Sequence, residues 1–132
     1  MFTSRQGLGV DNYFDQANDQ TMLIVLIEDI VAWENLDEII AIDGIDVFFV
    51  APSDFAASMG HMNDLQHPDV VEKIEDALTR ILAAGRNAGA LSTSENVGHY
   101  VELGVRFFMT GVGPWIGSGF KQYNDNAEAA KK

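Results

Sequence analysis

Two carboxylates that follow two apolar runs are the residues of this chain best placed to do chemistry. Glu28 closes Met22-Leu23-Ile24-Val25-Leu26-Ile27, and Asp54 comes just after Val47-Phe48-Phe49-Val50-Ala51-Pro52-Ser53. A continuous apolar run bounded by turn residues predicts a strand buried on both faces, as in a parallel sheet. In α/β folds the chemistry collects at the carboxyl ends of such strands. A Glu and an Asp from consecutive strands would there offer hard oxygen donors to a divalent cation. A strand-end carboxylate also commonly caps a helix or joins an ion pair, and on residue type and spacing alone both uses stand open.

The elements that must position these residues alternate along the chain. Tyr13 to Ala17 reads as a short helix, then Met22 to Glu28 as a strand. Ile30, Trp33, Leu36 and Ile40 fall at helical spacing, and Asp43-Gly44 ends that stretch. Val47 to Val50 is the second strand, with a short helical turn over Pro52 to Gly60. His67-Pro68-Asp69 opens a helix with proline in its first turn; its apolar stripe is Val71, Ile74, Leu78, Ile81 and Leu82, and Gly85 ends it. Ala88 to Leu91 is a third strand, Ser94 to Gly104 a helix, and Val105 to Thr110 a fourth strand whose Val105, Phe107, Phe108 and Met109 are core. A turn at Gly111 to Pro114 leads to a last helix over Trp115 to Tyr123, and the polar tail from Asn124 is expected to fray. Four strand–helix units with short connections predict parallel α/β with right-handed crossovers. The expected organisation is a lead-in over residues 1–20, a (βα)4 domain over 21–123 and a tail over 124–132. No glycine-rich phosphate fingerprint follows any strand, and Gly111-Val112-Gly113 reads as a tight turn.

Composition narrows the classes. The chain has 132 residues, 47% of them hydrophobic, enough for one domain with a core. Twenty acidic residues against eight basic ones give a formal charge of −12, which repels phosphate backbones and anionic membrane surfaces, so neither nucleic acid nor membrane is expected as a partner. No run reaches the roughly 18 apolar residues of a membrane span. The first residues lack the basic-then-apolar pattern of a signal peptide. Without cysteine there are no disulfides or thiolate metal sites; the default compartment is the cytoplasm. His61, beside Met62-Asn63-Asp64, reads as a solvated loop histidine, and His67 as a helix-entry residue. Glu72, Glu75 and Asp76 read as a wet helix face.

Several motifs, in order, resemble one family. Leu26-Ile27-Glu28 is similar to a Gln-x-Glu motif, and Leu36-Asp37-Glu38-Ile39 with Asp43-Gly44-Ile45-Asp46 to the helix-to-strand link that follows it. Ala51-Pro52-Ser53-Asp54-Phe55 is similar to Gly-Pro-Ala/Ser-Asp-Leu, and Ser58-Met59-Gly60 follows as it usually does. His67-Pro68, Ala83-Ala84-Gly85, Leu103-Gly104 and Thr110-Gly111-Val112 complete the set. Together they resemble the C-terminal half of the HpcH/HpaI aldolases, metal-dependent enzymes related to citrate lyase β subunits. Family members are (β/α)8 barrels of about 250 residues, so the resemblance implies a (βα)4 unit equal to half a TIM-type barrel.

That resemblance implies cleavage of 4-hydroxy-2-oxo acids to pyruvate and an aldehyde. It implies a divalent ion (Mg²⁺, Mn²⁺ or Co²⁺) held by Glu28 and Asp54, with Lewis-acid stabilisation of the charge that develops on the substrate. Backbone amides around Ser53 and Asp54, next to Ala51, match the seat of the pyruvate carboxylate; an ordinary helix cap would use the same amides. The family's histidine and arginine for proton transfer and carbonyl polarisation lie in the half that this chain does not match, and His61, His67 and His99 do not correspond to them. Leu26 stands where the family has glutamine, Ala51 where it has glycine, and Asp29 where it usually has threonine; Asp29 is expected to cap the next helix. Trp115 follows the last strand-end loop, where it would line a pocket, meet another subunit or pack beneath the barrel mouth. The alternative is a non-catalytic α/β oligomerisation or binding module on the same scaffold. A half barrel leaves two sheet edges and an apolar face open, so a homo-oligomer is expected.

Overall fold

Four short parallel strands lie side by side in chain order in one sheet: β1 (Ile24–Ile27), β2 (Val47–Val50), β3 (Ala88–Leu91) and β4 (Phe107–Met109). The computed structural model describes Gly9 and residues 11–131. Residues 1–8 and 10, part of the expected lead-in, and residue 132 lie outside the described residues. The helices are α1 (Tyr13–Gln20), α2 (Ile30–Glu34), α3 (Leu36–Ile40), α4 (Pro52–Ser58), α5 (Pro68–Ala83), α6 (Val97–Leu103) and α7 (Gly113–Ala129). The fold is the parallel α/β unit that the alternation predicts.

Register and the two-residue period of a strand sort the side chains onto two faces. Leu26, Phe49, Gly89 and Phe107 share one row, and Ile27, Val50, Ala90 and Phe108 share the next. The second row, with Phe48 and Ala88, belongs to the core formed with Leu36, Ile40, Phe55, Val70, Ile74 and Leu78 from the helices. On the opposite face Phe49 and Phe107 meet edge to face, centroids 6.3 Å apart. Gly89 lies between them in the row: a Cβ there would stand 2.8 Å from Phe49 Cδ2 and 3.1 Å from Phe107 Cδ1.

Burial on this second face corrects two expectations. β2, paired on both sides, is buried along its whole length. β1 is not buried on both faces, because it is an edge strand and no described layer covers this side of it; Leu26 is 50% exposed. Met109 at the other edge is likewise exposed rather than core.

Some elements also differ from their expected extents. The stretch from Ile30 to Ile40 divides at Asn35, whose side chain donates to Val31 O at 2.8 Å, a local bond that competes with helix continuation. The buried stripe of α5 is Val70, Ile74, Ala77, Leu78 and Ile81, shifted from the expected one at its first turn. Two acids of its expected wet face have partners: Asp76 accepts from Trp33 Nε1 at 2.9 Å, and Glu75 lies 2.9 Å from His99 Nε2. Arg80 joins α5 to α3 through Asp37 at 2.8 Å. The polar tail is helical through Ala129, helped by the Lys121–Asp125 pair one turn apart. No residue of α7 is buried, and Trp115, Ile116, Phe120 and Tyr123 form an exposed apolar stripe along it.

Candidate metal centre

Glu28 is held between two anchors on the segment that carries Asp54. Just before it, Ile27 O accepts from Ala51 N at 3.0 Å, extending the β1–β2 ladder to the start of α4. Just after it, Ile30 N donates to Ser58 Oγ at 3.0 Å, and the same hydroxyl donates to Phe55 O at 2.7 Å. A serine hydroxyl can do both at once. Asp29 is the cap of α2, accepting from Ala32 N at 2.7 Å, as expected of it.

Asp54 lies in the first turn of α4, where Ala51 occupies the cap position and provides no side-chain cap. Pro52 follows and has no N–H to satisfy. The first backbone bond into the helix is Phe55 N to Ala51 O, at 3.3 Å. The competing use of the Ser53 and Asp54 amides, a capping bond from either side chain, is therefore not made. Glu28 is half-buried, while Ser53 and Asp54 are exposed.

Among the described residues neither Glu28 nor Asp54 joins an ion pair. The described cations are engaged elsewhere: Arg80 with Asp37 and Asp76, Arg86 with Asp43, Lys121 with Asp125, Lys131 with Glu128. Arg106 donates to Val101 O and Val105 O, and Lys73 Nζ sits 3.6 Å from the centre of the Trp33 ring. Glu28 and Asp54 thus have no described counter-charge, and carboxylate oxygens are the donors a hard cation takes.

A cleft of about 640 Å³ opens at the carboxyl ends of β3 and β4, lined among others by Ser92, Thr93, Glu95, Thr110 and Trp115. Trp115 is 54% exposed, so it lines this cleft and does not pack beneath the sheet. The Thr93 hydroxyl holds the Glu95 carboxyl below its ordinary range, with a smaller contribution from the Glu95 backbone.

Sequence reasoning missed two arrangements. The Ser58 anchor sits in Ser58-Met59-Gly60, where nothing local points to a partner 28 residues earlier. The other is a cluster of His61, His67 and Asp69, assembled by a turn-rich loop with left-handed Asn63.

Four parallel strand–helix units in one sheet define an α/β protein of the barrel-forming type. Residues 3–113 match the HpcH/HpaI aldolase/citrate lyase family, and the chain belongs to it. It is 47% identical over 104 residues to a hydroxypyruvate/pyruvate aldolase of Deinococcus radiodurans, covering 78% of this chain and 38% of that protein. A 4-hydroxy-2-oxo-heptane-1,7-dioate aldolase of Klebsiella pneumoniae is 42% identical over 104 residues, covering 78% of this chain and 39% of that protein. A solved family protein from Burkholderia cenocepacia superposes with a TM-score of 0.82 at 29% identity, over 89% of this chain and 47% of that one. The chain thus spans less than half the length of these relatives.

Proposed function

We propose that this chain carries the metal-binding and 2-oxo acid-binding half of a class II aldolase site, with Glu28 and Asp54 as the protein ligands. The observation that carries the reading is the pair of anchors around Glu28, Ala51 N to Ile27 O and Ile30 N to Ser58 Oγ, both at 3.0 Å. They tie the Glu28 turn to both ends of the helix that holds Asp54. The donor set fits a divalent ion such as Mg²⁺, Mn²⁺ or Co²⁺, since two carboxylates offset its charge and leave positions for water and substrate. When bound, such an ion supplies Lewis-acid stabilisation of negative charge developing on a 2-oxo acid.

The chain's own part is to bind and orient. The uncapped amides of Ser53 and Asp54 would receive the carboxylate of a 2-oxo acid such as pyruvate, against the methyl group of Ala51. Relatives named for hydroxypyruvate/pyruvate and for a 4-hydroxy-2-oxo acid support that substrate class. In the proposed reaction a 4-hydroxy-2-oxo acid is cleaved to pyruvate and an aldehyde. No proton-transfer residue is assigned to this chain. No helix among the described residues is long and apolar enough to cross a membrane, and the reading is of a cytoplasmic, self-associating protein.

One observation favours a second reading, a non-catalytic binding module. Strand alternation puts Leu26 on the face to which Glu28 belongs, so an apolar side chain stands where the family has glutamine. Calorimetric titration of Mn²⁺ into metal-stripped protein, with and without pyruvate, tests both. The proposal expects Mn²⁺ binding that tightens with pyruvate and weakens at least tenfold in Glu28→Gln and in Asp54→Asn. Pyruvate-independent binding, or unchanged affinity in both variants, would discard it. Turnover of a 4-hydroxy-2-oxo acid then separates enzyme from binding module.

A further inference from the structure

We propose a second metal site, selective for imidazole-seeking ions such as Zn²⁺, formed by His61, His67 and Asp69 in the loop from α4 to α5. One ligand atom from each of the three lies within 4.8 Å of the others. The two imidazoles are stacked, centroids 3.6 Å apart and planes inclined by 19°. Stacked rings point their in-plane nitrogen lone pairs side by side rather than at one point, so an ion held by both would turn one imidazole out of the stack. His67 Nδ1 stands 3.9 Å from Asp69 Oδ2. Two bonds of about 2.0–2.1 Å at a tetrahedral angle place donors roughly 3.3 Å apart, about half an ångström closer than the His67–Asp69 pair stands. Two imidazoles and one carboxylate with an open fourth position match a borderline-soft transition ion rather than Mg²⁺.

The loop backbone that carries the three residues is held by its own hydrogen bonds. His61 N donates to Ala56 O at 2.8 Å, Asp64 N to His61 O at 3.0 Å, and His67 N to Asp64 O at 3.3 Å. Both histidines are partly buried, and Asp69 is exposed. One bond competes with the ion: Asp69 N donates to His67 Nδ1 at 3.3 Å, capping α5. That bond is longer than the usual 2.9–3.0 Å, and it is given up if Nδ1 becomes the ligand. A filled site would fasten the loop to α4 through the His61–Ala56 bond, on the helix that carries Asp54.

The test is a titration of the full ¹⁵N-labelled chain with Zn²⁺ alone, reading the histidine ring nitrogens. His99 stands outside the cluster, against Glu75, and is the internal control. The site predicts saturable shifts of the His61 and His67 rings, with His99 unmoved. Affinity should fall at least tenfold in His61→Phe, which keeps a stacking ring, and in His67→Asn, which keeps a capping side chain. It should persist in Asp54→Asn, which separates it from the Glu28–Asp54 centre. Equal shifts of all three rings, no shift, or unchanged affinity in both histidine variants would overturn the proposal.

Discussion

Ser58 Oγ accepts from Ile30 N and donates to Phe55 O, so one hydroxyl links the turn after β1 to the helix after β2. Ser58→Ala should lower stability by about 1 kcal/mol, the net worth of such bonds, and weaken Mn²⁺ binding severalfold because Glu28 loses one anchor. Urea unfolding and calorimetry on one sample read both; unchanged metal affinity would show that the ladder alone places Glu28. Gly89 is a second single-atom constraint. A methyl there meets Phe49, Phe107 and Val47, none farther than 3.1 Å, and overpacking of this kind costs about 1–3 kcal/mol. Gly89→Ala should therefore lower the urea midpoint with an unchanged slope. At this scale the sequence made the strand-end positions of Glu28 and Asp54 and the capping role of Asp29 legible, because each sits beside its own strand or helix signal. Ser58, and His61 against His67, were not legible: their partners are set by how loops return through space.

The strands β2 and β3 have the bounds that their apolar runs predict. Extents failed where side chains intervened, as Asn35 does between α2 and α3, or where a polar composition hid helical pairing, as in α7. The α5–α6 contact yields a pH prediction. Burial pushes the Tyr100 phenol up, and the nearby Glu75 carboxylate pushes it further. The folded chain thus holds this proton more tightly than the unfolded chain does. Its contribution to stability is complete below the unfolded value of about 10 and is lost as pH rises through the folded value. Urea unfolding at pH 8 and above pH 10 should show this loss, and Tyr100→Phe should reduce it. An identical alkaline decline in the variant would assign it to other groups.

Across the whole molecule, charge and apolar surface act in opposite directions. A net charge of −12 repels like copies, while Leu26, Met109 and the α7 stripe expose large apolar side chains. Self-association should therefore strengthen with salt, which screens the repulsion. Light scattering on a sizing column should show masses above 14.5 kDa that rise with protein concentration and with ionic strength; a fixed monomer mass across both would rule out self-association. The alternation of elements announced the parallel sheet, but the openness of β1 did not show in its apolar run, because a strand's own residues do not say what lies beyond it. The strand order, β1-β2-β3-β4, has a consequence for synthesis. A ribosome delivers the amino end first, so each strand emerges next to a neighbour already made, and none has to be inserted between two strands that have paired. Each strand contact then closes over the shortest connection that this topology allows, so the sheet can grow one strand–helix unit at a time.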